Sequence, residues 1–101
     1  MMVRMTKEDR ETQLRAAALS VAKQVGYKAI TREQVADYGN VSAGLVSKVF
    51  GDMDMLKQVV LHEGCASGNL PLIIEGVLHR DPLARRTAKK YKDAIINLLF
   101  K

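Results

Sequence analysis

His62, Glu63 and Cys65 form the only cluster in the sequence with metal-ligand chemistry. His62 and Cys65 stand three residues apart, so a helix would place them on one face. A zinc site needs about four ligands, or three and a water, and the sequence holds no second pair. The cluster reads as a helix end with a semi-buried thiol. His79 stands alone near a helix C-terminus, where a cation is favourable. No glycine-rich phosphate loop occurs, and no nucleophile has a base and an orienting acid nearby in sequence. The reading is therefore of a non-enzyme without metal or cofactor. What remains is the chemistry of one stretch, TREQVADYGNVSAGLVSKVF, from Thr31 to Phe50. Its outward residues are Ala43, Gly44, Leu45, Ser47 and Lys48, mostly small or polar. A helix with a small-residue leading face suits a DNA major groove, where bulk would block approach. Lys48 is assigned to a phosphate or a guanine edge, and Leu45 to a thymine methyl.

Two short helices, near 32–38 and 42–50, must hold these residues. Thr31 is an N-cap with Gln34 at capping-box spacing. Val35 and Ala36 form the buried face, and Gly39 and Asn40 stop the helix because both tolerate a left-handed turn. Val41 plugs the turn. Ser42 caps the second helix, in which Val46, Val49 and Phe50 fall at core spacing. Upstream, Met1–Met5 reads as a frayed arm. Thr6 caps a long helix with the stripe Leu14, Ala17, Ala18, Val21, Ala22 and Val25. Gly26 ends it, and Tyr27 and Ile30 are apolar plugs. Downstream, Asp52 caps a helix to about His62, with Met55, Leu56, Val59 and Val60 inward. A break follows at Gly64, Ser67, Gly68 and Asn69. A short apolar helix from Leu70 to His79 has Leu70, Ile73, Ile74, Val77 and Leu78 on one side, with Gly76 weakening it. Asp81-Pro82 starts a last helix. Its residues Ala84, Ala88, Tyr91, Ile95 and Leu98 recur at seam spacing.

The fold class is all-α. The 101 residues are 48% apolar and 27% charged, which suits a globular chain, and the net charge of +5 with pI about 9.6 favours an anionic partner. Cys65 is the only cysteine, so the sequence predicts no internal disulfide and a reducing cytoplasm. No apolar run approaches the ~20 residues of a membrane span. No signal peptide and no membrane partner are expected. Arg80, Arg85, Arg86, Lys89, Lys90 and Lys92 form a basic run, read as a solvated face, with a second DNA-backbone contact as the alternative.

The stretch from about Gln13 to Leu56 resembles the DNA-binding domain of the tetracycline-repressor (TetR) family. The resemblance rests on GYKAIT (Gly26–Thr31), Val35-Ala36, Val41, Ser42 and Gly44, and VFGDMDML (Val49–Leu56), in the family's order and spacing. It implies a helix-turn-helix in which Thr31 and Arg32 touch the DNA backbone and Ser42, Ala43, Gly44, Leu45, Ser47 and Lys48 face the groove. The sequence departs from the family in three places. Asn40 replaces the turn glycine, Ser47 an aromatic, and Met53 a phosphate-binding lysine, for which Lys57 is the substitute one turn on. The 39 residues after His62 are far fewer than the family's ligand-binding domain, as in truncated phage and plasmid regulators.

Residues 1–62 are thus read as a three-helix helix-turn-helix domain, and 63–101 as two to three dimerisation helices. Ile73, Ile74, Val77, Ala84, Ala88, Tyr91, Ile95 and Leu98 are the dimerisation residues. The expected function is transcriptional regulation in a bacterial, nucleoid-associated setting. The protein would be a repressor, binding a palindromic double-stranded DNA operator as a homodimer without a small-molecule effector. The alternative is a protein-interaction module, such as an anti-repressor, on the same scaffold.

Overall fold

Seven helices follow one another in the computed structural model, which describes residues 6–100. The reading of Met1–Met5 as a frayed arm falls outside them. Helix α1 (Lys7–Val25) starts where sequence chemistry places it. Thr6 Oγ1 accepts from the backbone N–H of Asp9, whose carboxylate accepts from the N–H of Thr6 in return. Thr31 and Gln34 repeat the device for α2 (Arg32–Gly39). Ser42 caps α3 (Ala43–Phe50), Asp52 caps α4 (Met53–Ala66), and Asn69 caps α5 (Leu70–Leu78). Asp81 caps α6 (Pro82–Lys90), and α7 (Lys92–Leu99) follows without a side-chain cap. Each cap satisfies an N–H that the first helical turn leaves without an internal partner. No strand occurs among the described residues.

One continuous core runs through α1 to α6. Leu14, Ala18 and Ala22 of α1 meet Val35 of α2, Val46 of α3, Leu56, Val60 and Leu61 of α4, Leu72 and Ile73 of α5, and Ala84 of α6. The boundary at residues 62 and 63 falls inside α4, which continues to Ala66. Gly64 is buried within that helix and not part of the break. Its missing side chain lets Leu72 approach, because a Cβ there would lie 2.9 Å from Leu72 Cδ1.

Several faces are rotated from their sequence reading. Met55 was read as inward and is 55% exposed, while Leu61 and Cys65 take its place in the core. Val25 and Leu78 also lie outside. On α5 the buried set is Leu72, Ile73 and Gly76. The single final helix read from seam spacing is two. Tyr91 (φ −105, ψ 21) leaves helical geometry between α6 and α7, with its hydroxyl against Gly68 at the α4–α5 link. Helix α7 buries none of its residues.

Glu75 was not anticipated. Its carboxylate leaves α5 and accepts the backbone N–H groups of Tyr27 (2.8 Å) and Lys28 (3.2 Å), 48 and 47 residues away. Gly26, at φ 86, makes room, since a Cβ there would sit 2.8 Å from Glu75 Oε2. Each such charged hydrogen bond is worth about 1.5–3 kcal/mol. The pair pins α5 onto the connector that aims α2. Sequence offered one signal, a lone acid in the otherwise apolar LPLIIEGVL.

Candidate functional site

Helices α2 and α3 are joined by Asn40, Val41 and Ser42. Asn40 takes the left-handed conformation (φ 56, ψ 47), and Gly39 stays helical, close against Leu14 of α1. Val41 is half-buried as the plug, and its N–H bonds to Ala36 O at 3.0 Å. The pair thus presents a polar surface of defined shape. Thr31, Arg32, Ser42, Gly44 and Lys48 are exposed on it. Arg32 Nη1 donates to Ser47 Oγ at 2.7 Å, which ties the start of α2 to the outer face of α3.

Three of the residues assigned to the groove, Ala43, Leu45 and Ser47, are half-buried. Ala43 and Leu45 also pack against the core. Their helix has only eight residues and packs against both α2 and α4, so its apolar stripe widens to include them. Leu45 instead helps floor a groove of about 640 Å³ between α1 and α3, together with Thr6, Lys7, Arg10, Glu11, Lys48 and Val49. That groove brings Lys7 and Arg10 beside Lys48, a basic pair that the sequence reading passed over. Their spacing of three on α1 was the available signal. Lys57 lies elsewhere, half-buried in a cleft with Tyr27, Lys28, Asp54, His79, Arg80 and Asp81.

The dimerisation residues divide. Ile73 and Ala84 are 0% exposed inside their own chain's core and are not available to a partner. This corrects their assignment. The closeness of α5 to α6 at Gly76, where a Cβ would meet Ala84 Cβ at 2.5 Å, is the physical reason. Ile74, Val77, Ala88, Tyr91 and Ile95 are half-buried, and Leu98 is exposed.

Of the thiol cluster, His62 and Cys65 line one cleft against α6, with Cys65 buried and His62 exposed. Among the described residues no three His, Cys, Asp or Glu side chains gather as metal ligands. Burial pushes the Cys65 thiol above its ordinary 9.0, and Asp81 adds to this. The neighbouring Thr87 hydroxyl opposes the rise. Burial likewise raises Tyr27 above 10.0, reinforced by the charges of Asp81, Glu75 and Cys65. In the unfolded chain both groups ionise near their ordinary values, while in the folded chain they hold their protons to higher pH. Stability is then independent of these groups below about pH 9 and falls as pH rises through 9 and 10. Urea midpoints from pH 7 to about 10.5 should fall, and less steeply for Cys65→Ala with Tyr27→Phe. Equal slopes would refute the assignment.

No family model matches the chain, and no curated protein or solved structure is significantly similar to it.

Proposed function

We propose that this chain is a sequence-specific DNA-binding transcriptional regulator of the bacterial cytoplasm, a repressor that binds a palindromic operator as a homodimer. The observation that carries this reading is the Arg32–Ser47 hydrogen bond. It joins the start of α2 to the outer face of α3 in one polar surface, with Lys48 at its edge and Lys7 and Arg10 across the groove. A helical pair serving only as packing has no need of a small, polar outer face. The resemblance of residues 13–56 to tetracycline-repressor DNA-binding domains points the same way.

A tight-binding duplex selected from a random pool tests the reading. Lys48→Ala should weaken binding to it by about 1–3 kcal/mol, roughly 5- to 150-fold, at fixed salt. Circular dichroism should be unchanged, because Lys48 is exposed. Failure to enrich any duplex over random DNA would overturn it. The second reading, a protein-interaction module, is favoured by the apolar outer face of α7, where Phe100 is 82% exposed.

A further inference from the structure

The net positive charge of this chain is confined to one end. Residues 80–101 hold seven Lys or Arg and two Asp, a net +5 that equals the charge of the entire chain. Residues 1–79, which include α2 and α3, balance nine basic against nine acidic side chains. At 100° per residue, Arg85, Arg86, Lys89 and Lys90 of α6 fall within an arc of about 140°. All four are exposed, opposite the buried Ala84.

Among the described residues, no carboxylate side chain pairs with this face. No carboxylate occurs from Pro82 to Lys92. Asp81 is engaged with Ala84 N–H and Gln58 Nε2, Glu63 of α4 pairs with Arg15 at 3.9 Å, and Asp93 lies beyond the bend. Among the described residues no ion pair involves an α6 cation. Like charges at i, i+4 destabilise an isolated helix, and a merely solvated face ordinarily intersperses both signs.

We infer that the basic face of α6 is a second nucleic-acid contact that grips phosphates irrespective of sequence. It supplies most of the salt-dependent part of binding, while α2 and α3 supply selectivity. This rests on the DNA-binding reading above. The span from Arg85 to Lys90 is about 7.5 Å, and each strand of a duplex presents one phosphate per ~3.4 Å of axis. Because long Lys and Arg side chains extend this reach beyond both ends of the span, the four cations can engage about three to four phosphates.

The test measures affinity of the full chain for a labelled random-sequence duplex and for the selected duplex, from 50 to 200 mM salt. Each neutralised phosphate contributes about 0.9 to the slope of log affinity against log salt. Changing Arg85, Arg86, Lys89 and Lys90 together to Gln should lower that slope by about three to four units for both duplexes. The affinity lost between the two salt concentrations should then shrink by about 100-fold. Lys89→Gln with Lys90→Gln alone should give about half the slope change, a graded effect that misfolding would not produce. Lys48→Ala should instead reduce discrimination between the duplexes and change the slope by about one unit or less.

A slope unchanged in the fourfold variant overturns the inference. So does an unchanged slope joined to loss of binding to vesicles of about 30% phosphatidylglycerol, which would assign the face to a lipid surface. Failure of the unmodified protein to bind either duplex would instead sink the DNA-binding reading itself.

Discussion

Gly76→Val will leave no cooperatively folded protein at 25 °C, and Gly76→Ala will fold with a melting temperature lower by roughly 5–15 °C. A Cβ at position 76 would lie 2.5 Å from Ala84 Cβ and 3.0 Å from Leu61 Cδ1. Neither neighbour has anywhere to go, since Ala84 and Leu61 are both 0% exposed. Helix α5 cannot back away either, because Glu75, the adjacent residue, is held by the N–H groups of Tyr27 and Lys28. Overpacking a well-filled site costs about 1–3 kcal/mol per small insertion. The ~1 kcal/mol that alanine gains over glycine in a helix offsets only part of it. Valine adds two further methyl groups at the same crossing, against a total stability of roughly 5–10 kcal/mol for a chain of this size. Thermal unfolding followed by circular dichroism measures both variants. Moving the methyl, by Gly76→Ala with Ala84→Gly, should recover part of the loss despite the glycine now placed in α6. A Gly76→Ala protein as stable as the unmodified one would refute the close crossing.

The unmodified protein should sediment at micromolar concentration as a dimer, and Ile96→Asp with Leu99→Asp should convert it to a folded monomer. Helix α7 places Ile95, Leu99 and Ile96 in one arc of about 100°, which Leu98 widens to about 160°, and the exposed Phe100 ends the helix. Only Ile95 packs on the core. Ile96 is 43% and Leu99 59% exposed and neither belongs to the core cluster, so aspartate at those two positions leaves the core packing in place. An apolar face of this breadth is more than soluble monomers usually leave in water. A second copy would cover it with a self-complementary, two-fold contact. Under the proposed function, loss of that contact separates the two half-site contacts, and operator affinity should fall by about 100-fold or more. Sedimentation of the unmodified chain as a clean monomer would end this proposal and, with it, the palindromic operator. A variant that remains dimeric would place the seam elsewhere.

The residues that start and stop the helices were legible in the sequence because capping is local. Thr6, Thr31, Ser42, Asp52 and Asp81 each satisfy a backbone N–H three residues ahead, so the information sits within one helical turn. The all-helical class followed from the 3.6-residue period of α1, which buries Leu14, Ala17, Ala18, Val21 and Ala22 as spaced. The exposed positions of Thr31, Arg32 and Lys48 were readable for the same reason. Which edge of an apolar stripe turns inward was not readable, because that depends on where the neighbouring helix lies. Leu72 displaced Leu78 on α5, and Leu61 displaced Met55 on α4, once α5 and α6 closed on each other at Gly76 and Ala84. That closure took Ile73 and Ala84 from a possible seam into the core. The bond from Glu75 to the N–H groups of Tyr27 and Lys28 spans nearly half the chain. The bend at Tyr91 depends on a glycine 23 residues earlier. Contacts across such separations leave no period in the sequence, and only the packed tertiary structure decides them.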